Sequence, residues 1–226
     1  MPQLIKALCV FTISLFITSC AFNYPKLDAY EEELSADVYF VPIGYVAPEY
    51  LISLADYYQK TFNIKVGVTE RLLFVKSAWN GARKQLKTDN VIRQMKYQYW
   101  NYSFNQDAIF IGITHLNMYL PGGPSKFDFT YSEGQNFAIV SNNKLEGKSE
   151  WNFLDIVETN ARFRKVVSKT IATMYFNKPL NSNSKSVLYG DVNSVLDLDY
   201  IDEESIFSDV LGGKSPSKVL STLSVY

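Results

Sequence analysis

Four apolar, β-rich runs separated by helical patterns constrain the fold of this 226-residue chain more than any other feature. Short continuous apolar runs bounded by turn residues are typical of buried strands. They predict strands at Val38–Ile43, Ile64–Val68, Ala108–Thr114 and Phe137–Ser141. Helical spacing predicts helices from Pro48 to Phe62, over Thr88–Tyr97 and over Phe153–Asn177, the last with the apolar stripe Ile156, Phe163, Val167, Ile171 and Met174. Strands that alternate with helices predict a single domain of α/β or α+β class.

Composition excludes several kinds of function. The chain has 22 basic and 23 acidic residues, so a strongly basic nucleic-acid-binding protein is not expected. Its one His and two Cys cannot supply a three-His or a four-Cys zinc site. We therefore expect no metal, no cofactor and no nucleic acid among its ligands.

The first 19 residues are typical of an export signal. Lys6 is their only charged residue, and the apolar run from Ala7 to Ile17 is too short to span a bilayer as a helix. The run ends in Ile17-Thr18-Ser19-Cys20, which resembles the lipobox of bacterial lipoproteins. This resemblance implies cleavage before Cys20 and attachment of lipid to that residue.

Lipid on Cys20 would anchor the mature chain, because each buried methylene contributes about 0.8 kcal/mol of membrane affinity. Residues 20–36 indicate a polar tether, and residues 37–226 the folded domain. Ala21 follows the Cys, which by resemblance to enterobacterial sorting implies the periplasmic face of the outer membrane in a Gram-negative cell. The expected location is therefore the bacterial cell envelope.

Four segments of the domain follow a recognisable order. They are Val41-Pro42-Ile43-Gly44, Ala78–Gln85 (AWNGARKQ), Gly112–Tyr119 (GITHLNMY) and Phe137–Ser141 (FAIVS) with Leu145. The last three are similar to A-f-N-x-x-R-x-Q, G-I-T-x-x-D-L-Y and A-V-V-S-x-x-R-L. Together they resemble archaemetzincins, a zinc-metalloprotease family of the metzincin class, over about residues 37–200. The resemblance implies a metzincin-like single domain in which a mixed sheet packs on long helices, with a former active-site helix near residues 153–177.

Metzincins bind zinc through the motif H-E-x-x-H-x-x-G-x-x-H, in which the Glu is the general base. The resemblance places Ser168, Ala172 and Lys178 at the three His, Lys169 at the Glu and Tyr175 at the Gly. Alanine offers no ligand atom, and the two lysines would repel a dication. We call Ser168, Lys169, Ala172 and Lys178 the vacated positions. If they face an open cleft, Lys169→Glu and Ala172→His are expected to cost little stability.

Archaemetzincins also carry a Cys-rich structural zinc site. The resemblance places Pro179 and Ser186 at its first two Cys positions, with Leu188 at the Met of a C-x-M turn. Ile206 and Asp209 stand at a later C-x-x-C. The resemblance therefore implies that both metal sites of the family are absent here.

His115 and an acidic run near the end of the domain can each be interpreted in two ways, as a functional site or as a structural feature. His115 follows a predicted strand, where ligand-binding residues often lie. No Cys nucleophile and no clear Ser or Asp partner accompanies it, which favours a satisfied loop residue. The acidic run from Asp197 to Glu204 misses the spacing of an EF-hand, which favours a solvated helix start over calcium binding.

An aromatic cluster has the same two alternatives. It consists of Tyr97, Tyr99, Trp100, Tyr102 and Phe104. Such side chains stack on sugars or contact partners, whereas a role in covering the core is more common.

Three functional hypotheses follow. The leading one is a lipid-anchored, catalytically inactive archaemetzincin-like pseudoprotease that binds a peptide or protein partner in the former substrate cleft. The second is a structural or assembly lipoprotein with no role for that cleft. The third is an enzyme with chemistry that does not involve zinc, centred on His115.

Overall fold

The central sheet is built from the apolar runs that the sequence assigns to strands. The computed structural model describes residues 36–73, 76–99, 108–123, 129–145 and 153–212, apart from the side chains of 153–156. The strands in these ranges are β1 (Val38–Ile43), β2 (Val66–Val68), β3 (Trp79–Asn80), β4 (Gln85–Lys87), β5 (Ile109–Thr114), β6 (Met118–Tyr119), β7 (Thr130–Glu133) and β8 (Phe137–Ser141). The helices are α1 (Pro48–Phe62), α2 (Thr88–Gln98), α3 (Phe153–Met174), α4 (Val195–Tyr200) and α5 (Ser205–Asp209), with a 3₁₀ turn at Lys76–Ala78.

The sheet has the strand order β2-β1-β5-β8-β7. The first four strands are parallel and β7 is antiparallel to β8, so the sheet is mixed. β1, β5 and β8 are buried along their whole length, because packed elements cover both faces of the sheet. The α/β class is confirmed, and the strands predicted at Val38–Ile43 and Phe137–Ser141 have those bounds. β2 is shorter than its predicted run and begins at Val66.

Side chains along β1 alternate between two separate cores, as the period of a strand requires. Val38 and Phe40 belong to the first core, whose other members come from α1, α3 and the chain after α3. Tyr39 and Val41 belong to the second core, which α2 and the short strands β4 and β6 cover. We call these two sides of the sheet the α3 face and the α2 face.

α3 ends three residues before the predicted end of its helix at Asn177. Its stripe residues Phe163, Val167 and Ile171 are fully buried, as predicted, whereas the side chain of Ile156 lies outside the described residues. Asn177 has a left-handed backbone with φ of 49°, a conformation that Asn tolerates and that commonly follows a helix end. Among the described helices, none is both long and apolar enough to cross a membrane.

A second sheet, with the order β3-β4-β6, has strands of only two or three residues, too short for periodicity to predict. It brings together residues from two of the family-like segments. Asn80 Nδ2 donates to the hydroxyl of Tyr119 at 2.7 Å, and the Arg83 guanidinium carbon lies 3.8 Å from the centre of the same ring. Arg83 Nε also donates to Gln85 Oε1 at 2.7 Å. Residues that the resemblance rests on therefore form one cluster in the folded chain.

Candidate functional site

Ser168, aligned with the first zinc-binding His, lies in the interior of the protein. It is 1% exposed, and its Oγ lies 3.1 Å from the hydroxyl of Tyr58 on α1. The Tyr58 hydroxyl donates its proton to the carbonyl of Arg164 at 2.8 Å, so Ser168 is the donor to Tyr58. Burial raises the pKa of Tyr58 well above its ordinary value, which keeps this hydroxyl protonated. The Ser168 side chain therefore joins α3 to α1.

Lys169, aligned with the general base, holds the chain that follows α3. Its Nζ donates to the backbone carbonyl of Tyr189. Burial lowers the pKa of Lys169, and the nearby carboxylate of Asp191 opposes that shift. The side chain thus serves as a hydrogen-bond donor between α3 and the turn beyond it.

Ala172, aligned with the second zinc-binding His, is fully buried. It belongs to the core of the α3 face, together with Ile171 on the same helix and Leu188 on the following turn. The condition for a low cost of Ala172→His, an open cleft beside this position, is not met, because Ala172 has no exposed surface through which an imidazole could reach solvent.

Lys178, aligned with the third zinc-binding His, lies just beyond the end of α3. Its backbone N–H donates to the carbonyl of Ala172 at 3.0 Å. This hydrogen bond holds the first residues after α3 against the last turn of the helix. The left-handed residue of this turn is Asn177, two positions after Tyr175, which the alignment places at the motif Gly. All four vacated positions are therefore close in the fold, but their contacts hold α3 to α1, to the core and to the turn that follows the helix.

Two positions aligned with structural zinc ligands also meet. Ser186 Oγ donates to Oδ2 of Asp209 at 2.6 Å and accepts from Asn181 Nδ2 at 2.9 Å. Ser186 is 1% exposed, whereas Asp209 is half-buried and Asn181 is exposed, so this contact is partly buried. Pro179 is exposed and Ile206 is buried in the core of the α3 face. We call Asn181, Ser186 and Asp209 the polar staple, because they join the turn after α3 to α5.

The acidic run divides between two structural roles. Asp197 forms a capping box with Ser194 at the start of α4, which confirms the predicted helix start. Asp199 instead pairs with Arg162 at 2.7 Å, and Glu203 pairs with Arg164. Local spacing does not reveal these pairs, because each joins residues more than 30 positions apart.

An open cavity of about 300 Å³ lies between α3 and α4. It is lined by Glu158, Ala161, Arg162, Lys165 and Asp199. None of the vacated positions lines it.

His115 is exposed after β5 and is held by the loop after β8. Its Nδ1 lies 2.7 Å from Oδ1 of Asn142, which can only accept, so Nδ1 carries the proton. Asn143 Nδ2 donates to the His115 carbonyl at 3.1 Å. These contacts favour the structural alternative for His115. Within the part of the chain that the structure describes, no group of three His, Cys, Asp or Glu side chains could hold a metal ion.

The aromatic cluster is divided by the fold. Tyr99 is buried and stacks on Phe110, with ring centres 5.1 Å apart, so it covers the core as predicted. Tyr97 is 86% exposed. Trp100, Tyr102 and Phe104 lie outside the described residues, as do the predicted signal, Cys20 and the tether up to residue 35.

Exposed β7 lies beside the vacated positions. It is the antiparallel edge strand of the central sheet, and three of its four residues are exposed. Thr130 Oγ1 lies 3.5 Å from Oγ1 of Thr170, which stands between Lys169 and Ala172 on α3. Sequence periodicity does not predict this strand, because its residues are mostly polar and follow no apolar pattern.

Comparisons with known proteins support the fold. No protein-family model and no curated protein matches this sequence. The crystal structure of archaemetzincin from Methanopyrus kandleri matches with 16% identity and a TM-score of 0.56, over 73% of this chain and 86% of that chain. Archaemetzincin from Archaeoglobus fulgidus, complexed with malonate, matches with 19% identity and a TM-score of 0.57, over 76% and 99%. A zinc-dependent peptidase from Methanocorpusculum labreanum matches with 14% identity and a TM-score of 0.59, over 73% and 93%. At these identities the likeness concerns architecture alone, and the chain has an archaemetzincin-like fold.

Proposed function

We propose that this protein is a lipid-anchored, catalytically inactive pseudoprotease that binds a peptide or protein partner at the bacterial cell envelope. The observation that carries the proposal is the packing of the vacated positions. Ser168 is hydrogen-bonded to Tyr58 in the interior, and Ala172 has no exposed surface. The burial of these two positions supports a structural role for this side of α3 rather than a catalytic one.

The residues at the vacated positions do not fit a zinc ion. Zinc in proteins is bound by His, Cys or carboxylate side chains. Ala172 has no ligand atom, Lys169 is cationic, and the Ser168 hydroxyl is engaged with Tyr58. The 226-residue sequence has one His, so the three-His set of a metzincin cannot form within the chain. We therefore assign no zinc-dependent hydrolysis to this protein.

The edge strand β7 supports a partner-binding role. The Ser141 N–H donates to the Phe129 carbonyl, and such pairs alternate along an antiparallel ladder. Thr130 and Ser132 therefore direct their backbone N–H and C=O groups away from β8. An extended peptide can pair with such an edge through main-chain hydrogen bonds. Because β7 adjoins α3 through Thr170, this peptide would lie along the edge of the sheet, beside the buried vacated positions.

The anchor is supported by the order of features at the amino terminus. A single charge at Lys6, a short apolar run and a lipobox-like Cys20 follow one another as in bacterial lipoproteins. Removal of residues 1–19 would leave the mature chain with two net negative charges and Cys20 as its only Cys.

Site-specific cross-linking in cells tests the partner. A photoreactive residue at position 133 is combined with Ser132→Pro, which removes one outward N–H, or with Ser132→Ala, which keeps it as the matched control. We expect a discrete cross-linked adduct in the Ser132→Ala chain and its loss in the Ser132→Pro chain. Equal adducts in both would contradict pairing along β7. Absence of any adduct would favour a structural lipoprotein with no role for the cleft.

Elemental analysis tests the absence of catalytic metal. Purified protein is expected to contain far less than one zinc per chain and to cleave no casein. One zinc per chain that survives mild chelation, together with cleavage, would overturn the pseudoprotease proposal.

A further inference from the structure

The segments that cover the two faces of the sheet differ strongly in charge. Residues 71–98, which include α2 on the α2 face, contain seven basic residues and one acidic residue. Residues 191–209, which include α4 and α5 on the α3 face, contain seven acidic residues and no basic residue. The net charge of −1 for the whole chain therefore hides a strong charge difference between these two segments.

Basic side chains of the α2 face reach solvent from three different elements. Lys76 lies on the 3₁₀ turn, Arg83 and Lys84 on the β3–β4 hairpin, and Arg93 on α2, and all four are exposed. Tyr97 follows Arg93 by four residues, so both lie on the same side of α2, and Tyr97 is 86% exposed. We call Lys76, Arg83, Lys84, Arg93 and Tyr97 the basic face.

Segment 71–98 offers the basic face a single acidic neighbour in sequence. Asp89, the acidic residue of segment 71–98, is half-buried on α2. Glu133 on β7 pairs with Lys96, and Glu70, which directly precedes the segment, is exposed. The acids of the opposite face are partly used by α3, since Asp199 and Glu203 pair with Arg162 and Arg164.

A phospholipid surface with anionic headgroups has the chemistry that the basic face fits. Lys and Arg are attracted to anionic headgroups, and an exposed Tyr is stable at a membrane–water boundary. Residues 21–35 can extend at most about 50 Å, so lipid on Cys20 would keep the domain within that distance of the bilayer.

We infer that the basic face docks on anionic phospholipid, so that the anchored domain lies with its α2 face against the membrane and its α3 face away from it. The biological setting rests on the proposed lipid anchor. The affinity of the basic face for anionic vesicles does not depend on that anchor, so the two ideas fail in different experiments.

Vesicle co-sedimentation tests the inference. The mature chain (residues 20–226) with Cys20→Ser carries no lipid and is mixed with vesicles of phosphatidylethanolamine and phosphatidylglycerol, or of phosphatidylcholine alone. We expect binding to the anionic vesicles at low salt and its loss at about 0.5 M salt, because screening shortens electrostatic attraction. Each basic residue at such a surface changes partitioning roughly fivefold, so Lys84→Glu with Arg93→Glu should lower it at least about 25-fold.

The matched control changes two exposed lysines outside the basic face. Lys60→Glu on α1 with Lys185→Glu after α3 alters the net charge by the same amount and should leave binding within about twofold. Equal losses in the two double variants, equal binding to phosphatidylcholine, or no binding would each overturn the inference. Binding to RNA but not to vesicles would assign the face to another polyanion and also overturn it. Failure of Cys20 processing in cells would overturn the anchor and leave the vesicle result unchanged.

Discussion

At the scale of single residues, the buried end of α3 depends on a short chain of hydrogen bonds. Ser168 donates to Tyr58, which donates to the Arg164 carbonyl, although Tyr58 and Ser168 are 110 residues apart in sequence. Polar atoms in a protein interior are stable when each has such a partner. Ala172 completes this packed surface with a side chain small enough for the core.

Ala172→His is expected to destabilise the protein by at least about 2 kcal/mol, because it overfills a packed site and buries a polar ring without a partner. Ala161→His is the matched control on the same helix, since Ala161 is half-buried and lines the open cavity. The control should cost less than about 1 kcal/mol. Urea unfolding of both variants measures the difference, and equal midpoints would show that position 172 is accessible.

At the scale of elements, the chain after α3 is positioned by polar contacts. α4 and α5 have six and five residues, too few to be stable as isolated helices. Lys165 Nζ donates to the Leu198 carbonyl of α4 at 2.9 Å, and Arg162 pairs with Asp199 of the same helix. The polar staple attaches α5 to the turn after α3. These contacts, together with the buried side chains of Leu198 and Ile206, position both short helices.

Ser186→Ala is expected to lower the free energy of unfolding by about 1–3 kcal/mol, because Asp209 loses its buried donor and Asn181 its acceptor. Ser184→Ala lies in the same turn, where Ser184 is exposed, and should change stability by less than about 0.5 kcal/mol. Denaturant midpoints of the two variants measure the contrast. A Ser186→Ala protein as stable as the control would show that the staple contributes nothing.

The capping box makes the stability of α4 depend on pH. The Asp197 carboxylate accepts hydrogen bonds from the backbone N–H of Asn193 and from the hydroxyl and N–H of Ser194. These hydrogen bonds, the one from Asn193 most of all, lower the pKa of the carboxyl below its ordinary value. Because the pKa of Asp197 is lower in the folded chain than in the unfolded chain, its ionised carboxylate stabilises the folded chain at pH values above the unfolded-state pKa. This stabilisation is lost as the pH falls through the folded-state pKa. We expect hydrogen-exchange protection of α4 to fall below about pH 4.

Asp197→Asn supplies the comparison for that experiment, since it cannot titrate. Its α4 protection factors should be lower than those of the unchanged chain at neutral pH and should vary less between neutral and acid pH. The same pH response in both proteins would assign the effect to other carboxyl groups.

At the scale of the whole molecule, the described residues combine an archaemetzincin-like fold, an exposed edge strand and two segments of opposite charge on the two sides of the sheet. The proposed anchor at Cys20 would present these surfaces at a membrane. In that setting, we propose that the basic face orients the domain and leaves β7 available for pairing.

Cys20→Ser is expected to leave an unprocessed precursor, because the residue that accepts the lipid is absent. Electrophoretic mobility and labelling with a radioactive fatty acid measure processing. Ser19→Thr is a control beside the cleavage position that keeps Cys20 and should retain labelling. Normal maturation and fatty-acid labelling of Cys20→Ser would contradict the lipoprotein proposal.

The sequence by itself determined the longer elements and the limits on metal chemistry. Runs such as Val38–Ile43 and the stripe of α3 bury enough apolar surface to specify strand or helix locally, so their positions follow from periodicity. The single His excludes a three-His site within the chain in any fold. The sequence also contains the family-like segments to which Asn80, Arg83 and Tyr119 belong. These segments predicted an archaemetzincin-like fold, and the similarity to solved structures supports that fold.

Only the tertiary structure decided the environment of the candidate site. Ala172 is buried because α3 packs in the core of its face, and Ser168 is engaged because Tyr58 arrives from α1. The Ser186–Asp209 contact and the ion pairs of Arg162 and Arg164 likewise join distant parts of the chain. Local periodicity specifies which side of an element is apolar, but not which distant side chain packs against it. Contacts between residues far apart in sequence form only when the sheet and helices assemble, so the sequence pattern could not predict them.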